Sequence, residues 1–345
     1  MGPIMQEVWL QVSPQHKTRI RLWVGPLASE DPELGRRIEI AHRIGVLDPK
    51  TDLISRFTVP TMQKNSVFVS EDNAYEKIKH SSGNPGGNEA LNLFPSQASA
   101  YLKGEDGDGS SLQLSVALDR SHAVGSLYAG TLDVTQHRRG LPFMTTQGGT
   151  VVLDDTDRVF TQTWLSLGTA SQANRDRISM KLRLNHPLQL FYSSGESRVK
   201  VELGSRGSAE QRLLRLTRET PKLAPSSLKE GLHLQSMRSM SSKTLAEGGA
   251  VLVRVQHMFA KGEDPVMSTP QSLDIGDLFG RLETKAEEVT LTAFLPKSQL
   301  NRHRYPSEEG EGRAGSVERS KARNLDGTVD IQPFELRTFL VTAKP

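Results

Sequence analysis

Hydrophobic and polar residues alternate along most of this chain. The runs are "VWLQV" (8–12), "RIRLWVG" (19–25), "SLQLSVAL" (111–118), "GTLDVTQ" (130–136), "RVFTQTWLSL" (158–167), "ISMKLRL" (178–184), "LHLQSM" (232–237), "AVLVRVQHMF" (250–259), "EVTLTAFL" (288–295) and "FELRTFLVTA" (334–343). A two-residue period sends apolar side chains to one face of a strand and polar ones to the other. Turn signals such as "EDGDG", "GGT", "SSG" and "LDG" lie between the runs. Helical periodicity is scarce: "SAEQRLLRLTRE" (208–219) offers a short helix through Leu213, Leu214 and Leu216. Many short strands with few helices predict an all-β protein built of antiparallel β-sandwiches.

The stretch "SSKTLAEGG" (241–249) reads as a boundary between a large sandwich, 1–245, and a small C-terminal one, 246–345. Two segments read as long loops. "KHSSGNPGGNEA" (79–90) is rich in Gly, Ser and Asn, and "RHRYPSEEGEGRAGSVERSKARN" (302–324) is charged and poor in large apolar residues. No internal repeat is visible.

A length of 345 residues is ample for a buried core. The 43 basic and 40 acidic residues are interspersed and leave a net charge of +3, so no nucleic-acid or membrane-surface field is implied. The absence of cysteine excludes disulfides, a thiol nucleophile and thiolate metal ligands. No apolar run approaches the roughly 20 residues of a membrane-spanning helix. The N-terminal "MGPIMQEVWLQVSP" lacks the basic and apolar regions of a secretory leader, and Gln6 stands where N-myristoylation needs Ser or Thr. No Asn-X-Ser/Thr glycosylation site occurs. These features point to a cytosolic setting.

Candidate chemistry is sparse. "GEGRAG" (310–315) has dinucleotide-binding spacing but lies in the charged loop, not between a strand and a helix. "DGDGSS" (106–111) starts like a calcium loop, yet Ser111 replaces the turn glycine and Ala117 the bidentate glutamate, which leaves a hairpin turn. The nine histidines show no metal-ligand spacing. "QHRRG" groups His137, Arg138 and Arg139 at a strand end, where they either bind an anion or sugar hydroxyl or cap a hairpin with solvated charge. Asp119 beside Arg120 reads as a structural ion pair or a turn-organising Asp, and Asp154–Asp155 alone is no glycosidase pair. Trp9, Trp23 and Trp164 fall in alternating strands and read as core, not as a sugar-stacking platform.

"VLVRVQHMFAKGED" (251–264) carries the most information. By parity Val251, Val253, Val255, His257 and Phe259 share one strand face, opposite Leu252, Arg254, Gln256 and Met258. His257 is thus expected to be a core histidine bonded to backbone, and not a zinc ligand.

The same stretch resembles a strand and Gly-Glu-Asp turn near the C-terminus of glycoside hydrolase family 38 α-mannosidases, the lysosomal type in particular. "LDIGDLFGRLETKAEEVTLTAF" (273–294) and "VDIQPFELRTFLVTA" (329–343) are similar to the segments that follow in that family. "VALDRSHAVGSLYAGTLDVTQHRR" (116–139), "IRLWVGPL" (20–27) and "LISRFTVPTMQKNSVFVSEDN" (53–73) resemble upstream blocks, all in family order. The resemblance implies the C-terminal β half of such an enzyme: a mutarotase-like supersandwich followed by a smaller Ig-like sandwich. It also implies that zinc, the aspartate nucleophile and the aspartic acid/base belong to an N-terminal β/α barrel, so this chain has no catalytic residue and no cofactor of its own. Retention needs two carboxyl groups about 5–5.5 Å apart, so a half enzyme has no partial mechanism.

Further expectations follow from the resemblance. Family strands precede "IMQEVWLQV", so the chain should begin inside the first sandwich and expose a sheet edge and an apolar face. "NLFP" (92–95) places Phe94 where the family has a pocket tyrosine, and the lost hydroxyl removes a sugar hydrogen bond worth about 0.5–1.5 kcal/mol. Arg238 in "LQSMRSM" matches an arginine that some Golgi-type members bring to the pocket, and His137 and Arg138 match the family's His-Arg-Arg. After it, an acidic family continuation is replaced by "GLPFMTTQGG". The implied partners are the catalytic barrel and a mannose-containing oligosaccharide, with a lysosomal, vacuolar or secretory setting set against the cytosolic features above. The rival reading is a non-catalytic carbohydrate-binding or structural sandwich protein.

Overall fold

Alternating apolar runs need a second layer to cover them, and the chain supplies it twice. The computed structural model describes residues 2–62, 66–72, 76–81, 92–107, 109–140, 143–144, 150–151, 154–187, 228–240, 245, 248–279, 283–300, 324–325 and 328–343. The chain divides into two units, Met1–Phe191 and Tyr192–Pro345.

The first unit contains β1 (Met5–Ser13), β2 (His16–Trp23), α1 (Gly25–Glu30), α2 (Pro32–Arg36), β3 (Ile38–Ile44), β4 (Thr51–Thr58), β5 (Val67–Asp72), β6 (Glu76–Ser81), β7 (Leu93–Ser96) and β8 (Ser99–Glu105). It continues with β9 (Ser111–Leu118), β10 (His122–Gly125), β11 (Thr131–Arg139), the short pair β12 (Phe143–Met144) and β13 (Thr150–Val151), β14 (Val159–Thr169) and α3 (Ala170–Asn185). Eight strands form one antiparallel sheet in the order β1-β2-β3-β14-β9-β8-β5-β6, and four form a second in the order β4-β11-β10-β7. Between them Ile40, Phe68, Leu102, Val116, Leu118 and Leu165 of the large sheet meet Val124, Leu132 and Val134 of the small one. No side chain of β1 or β2 enters that core. The edge strand β1 therefore overhangs, with Val8 54% and Leu10 45% exposed.

In the second unit β15 (Leu232–Ser239), β16 (Ala250–His257), β18 (Thr284–Val289), β19 (Asn324–Leu325) and β21 (Leu336–Ala343) form a sheet in the order β15-β16-β21-β18-β19. A two-stranded sheet of β17 (Gln271–Asp274) and β20 (Thr328–Ile331) packs against it. Val251, Val253, Val255, Phe339 and Val341 bury against Leu273, Ile275, Leu278, Val329 and Ile331. The expected all-β sandwich class is what the structure holds.

Four expectations are corrected. β15 pairs with β16 along Leu232–Ser239, so it belongs to the second unit, ahead of the boundary placed at 245/246. "ISMKLRL" is no strand but the end of α3, because Ala, Gln, Arg, Met, Lys and Leu favour helix and Thr169 caps it by accepting from the Gln172 N–H. Its buried Ala173, Arg177 and Met180 follow helical spacing. In "EVTLTAFL" the strand has ended by Val289, and Leu291 and Phe294 are exposed. The three tryptophans are absent from both cores. In register, Trp9 faces Arg19, and Trp164 faces Glu39, which faces Arg21 and then Glu7. Alternation fixes which residues share a face, but not which face is covered. The helix expected at 208–219, residues 302–323 of the expected loop with its "GEGRAG", and most of the loop at 79–90 lie outside the described residues, while Asn324 opens β19.

Candidate functional site

The residues expected to line a sugar pocket are held in different ways. Phe94 on β7 lies opposite Val124 and packs against the first core. The His80 imidazole, from β6 of the other sheet, stacks on its ring at 3.7 Å between centroids and 19° between planes. His80 Nε2 lies 2.8 Å from the Ser70 hydroxyl, and burial lowers the basicity of this imidazole. Nothing in sequence spacing links His80 with Phe94; the pairing of β5 with β6 and of β10 with β7 brings them together.

His137 and Arg138 follow a bulge in the β11–β4 pairing, between Thr135 and His137. The bulge re-aims the end of the strand. It turns His137 inward, and its Nε2 is buried without a partner among the described residues. Arg138 points the other way and makes a two-pronged bond to Asp52 at 2.8 and 2.9 Å. That carboxylate raises the arginine's already high pKa. Arg139 donates to Asp154 and to the Leu47 carbonyl. The cluster thus works as strand-end fastening. Arg238 belongs to the second unit, exposed on β15 opposite Leu252.

Asp119 is the structural ion pair that its sequence context suggested. Burial pushes its carboxyl up, but bonds from His122 and Arg120 hold it below the usual range. His257 also matches its expectation. Its Nδ1 accepts from the Phe259 N–H, so its proton sits on Nε2, which donates to the Thr269 carbonyl at 2.9 Å. The strand ends at His257, and the turn beyond it passes through Gly262, whose φ of 74° suits a residue without Cβ. Buried Asp264 organises the turn by accepting from the Val266 and Met267 N–H groups at 2.8 Å.

Each unit also buries a glutamate between an arginine and a lysine. Under α3, on the outer face of the large sheet, Glu71 accepts from Arg177 at 3.0 Å and Lys181 at 2.9 Å through one oxygen and from Ser99 at 2.8 Å through the other. Burial pushes its pKa up, and Lys181 and Arg177 more than reverse this. In the second unit Glu288 is clamped by Arg337 and Lys297, with the same balance of burial against cationic bonds. Each carboxylate is already neutralised by two cations, unlike the free pair of acids that a glycosidase mechanism needs. Among the described residues no three His, Asp or Glu converge as metal ligands would, so these residues do not fit a zinc ion.

The comparisons with known proteins follow the same lines. No family model matches the chain. It is 28% identical over 357 residues to the human epididymis-specific alpha-mannosidase, covering 98% of this chain and 34% of that protein. The lysosomal alpha-mannosidase of Felis catus is 27% identical, with 99% of this chain and 32% of the relative covered. The chain is a homologue of the C-terminal part of the α-mannosidases. It spans about a third of the length of these relatives. Among solved structures, an alpha-mannosidase from Enterococcus faecalis superposes with a TM-score of 0.50 at 13% identity, over 97% of this chain and 33% of that one. At that identity the likeness speaks for the fold alone.

Proposed function

We propose that this chain is the non-catalytic β portion of a retaining α-mannosidase that cleaves α-mannosidic linkages of oligosaccharides of the N-glycan type. The observation that carries the reading is the match of nearly the whole chain to only a third of each relative. The overhanging β1 supports it. An edge strand with free backbone groups and exposed Val8 and Leu10 is a liability unless another polypeptide covers it. The partner we assign to that edge is the polypeptide that matches the rest of the relatives' length, with the sandwich strands expected ahead of β1 and the catalytic barrel, to which zinc and the acid/base carboxylates belong. Relatives named for the lysosome suggest a lysosomal setting. No helix among the described residues is long and apolar enough to cross a membrane. Of the expected pocket residues we carry forward Phe94, half-buried with His80 on its face, as a pocket wall. Arg138 serves strand fastening in this reading, and neither His137 nor Arg238 has an assigned contact.

The test joins this chain to the polypeptide, encoded in frame or beside it, that matches the rest of the relatives' length. Release of p-nitrophenol from p-nitrophenyl α-mannoside, with zinc supplied, is expected from the joined protein. Val8→Lys with Leu10→Lys is expected to abolish the association. Undiminished association would remove β1 from the interface.

A second reading, a carbohydrate-binding module, is favoured by one observation. Trp9 is exposed on the outer sheet face beside Arg19 and Arg43, whose guanidinium carbons lie 5.8 and 5.3 Å from its ring centroid. Saturable quenching of tryptophan fluorescence by mannan, lost in Trp9→Ala, would support this module over the first reading.

A further inference from the structure

The inner face of the first sandwich is not apolar throughout. Beyond the core, the buried His16 and Thr18 of β2 and His42 of β3 form one polar cluster with the half-buried Ser55 of β4. His16 Nε2 lies 3.1 Å from His42 Nδ1, and the Thr18 hydroxyl lies 3.1 Å from the first and 3.0 Å from the second. His42 Nε2 reaches the Ser55 hydroxyl at 3.2 Å, across the gap between the sheets. The cluster therefore ties the β2 edge to β3 and ties both to the opposite layer. We propose that the His16–His42 pair is an acid-operated latch, whose protonation releases the β1–β2 hairpin from the rest of the sandwich.

Counting protons gives the reason. One proton must lie between His16 Nε2 and His42 Nδ1. In the neutral pair His16 can carry it on Nε2, His42 can donate from Nε2 to Ser55, and only a lone pair on His16 Nδ1 goes unused. That Nδ1 is buried and has no partner among the described residues. A second proton changes the balance. If His16 takes the charge, its Nδ1–H points at nothing. If His42 takes it, His42 donates from Nδ1, and two N–H groups then crowd each other and the Thr18 hydroxyl across 3.1 Å unless the His16 proton moves to the same unpartnered Nδ1. Each charged form thus strands or crowds a buried N–H, which costs more than an unused lone pair. Among the described residues no carboxylate is seen to offset the charge on His42. The groups that act on His42 are His16 and His122, both cationic when protonated. His122 is itself turned to Asp119 and the Thr135 carbonyl. The chain neighbours Lys17 and Arg43 point to the opposite sheet face by parity, and Thr18 and Ser55 are uncharged. Burial, then His16 and His122, bring the His42 pKa down to about 4, and burial lowers that of His16.

Hydrogen exchange followed by mass spectrometry on the whole 345-residue chain tests the latch. After correction for the intrinsic pH dependence of exchange, opening of peptides spanning residues 5–23 is expected to rise about 30-fold between pH 7.5 and pH 5, while residues 112–118 of the central β9 stay protected. The variant His16→Asn with His42→Gln is expected to remove that pH dependence. Should the variant fail to fold, proton NMR of the wild-type imidazoles decides. Two histidines still neutral at pH 5.5 in the folded chain support the latch. Titration of every histidine near 6.5, or unchanged exchange of residues 5–23, overturns it.

Discussion

Each sandwich buries histidine between its layers, and the two sites are built in opposite ways. In the second unit both His257 nitrogens have backbone partners of the right kind, a donor for Nδ1 and an acceptor for Nε2. In the first unit His16 and His42 lean on each other, and one nitrogen has no partner among the described residues. The first arrangement fixes a tautomer on two backbone groups and holds a turn in place. The second is closed by the pair itself, with Thr18 and Ser55, and leaves the Nδ1 of His16 without a partner among the described residues. Burial alone decides neither outcome; the kind of partner at each ring nitrogen does.

The two glutamate clamps sharpen the contrast. Glu71 is held under a helix by Arg177 and Lys181, with all three side chains nearly inaccessible. Glu288 sits opposite Phe339 on β21, and its Lys297 partner reaches water. Glu71→Ala removes the carboxylate that two buried cations share, so the first unit is expected to lose about 3–5 kcal/mol of stability in urea denaturation. A loss below about 1 kcal/mol would mean that the helix layer is not fastened there.

Acid should separate the two units. The folded-state pKa of His42, about 4, is below its ordinary 6.5, so the unfolded chain takes up the proton first. The first unit's stability is therefore complete above pH 6.5 and declines as pH falls toward 4, by roughly 3 kcal/mol in total. Glu288 is also shifted down, but from 4.5, so its contribution is complete above that value and is lost only as pH falls below it. All three tryptophans lie in the first unit, so tryptophan fluorescence follows that unit by itself. Its urea midpoint is expected to drop between pH 7 and pH 5, and a flat midpoint over that range would contradict the difference drawn between the units.

His257→Ala removes two backbone partnerships and is expected to destabilise the second unit by about 1–3 kcal/mol. The smallest effect should come from Arg138→Ala. Its bond to Asp52 is two-pronged but exposed, worth about 0–1 kcal/mol. A large loss of mannoside affinity in the joined enzyme would restore Arg138 to the sugar pocket.

The sandwich architecture was legible because its signal is local. Alternation in "SLQLSVAL" and "AVLVRVQHMF" marks β9 and β16 directly, and parity put His257 on the correct face. Family order, spread over most of the chain, supplied the link to α-mannosidases that spacing alone could not. What stayed hidden depends on partners distant in sequence. "ISMKLRL" alternates as a strand would, and only the sheet beneath it shows that a helix buries Arg177 and Lys181 there. The tryptophans obeyed parity, but the face they occupy is the outer one, away from the core between the two sheets. The His16–His42 pair and the His80–Phe94 stack join residues 26 and 14 positions apart, in registers that no short motif encodes.

The most direct measurement of the central claim is the hydrolysis of p-nitrophenyl α-mannoside by the purified 345-residue chain alone, with zinc supplied. A chain that provides only the β portion should release no p-nitrophenol above the uncatalysed rate. Sustained turnover that copurifies with the chain would place the reacting groups within these residues and contradict the account.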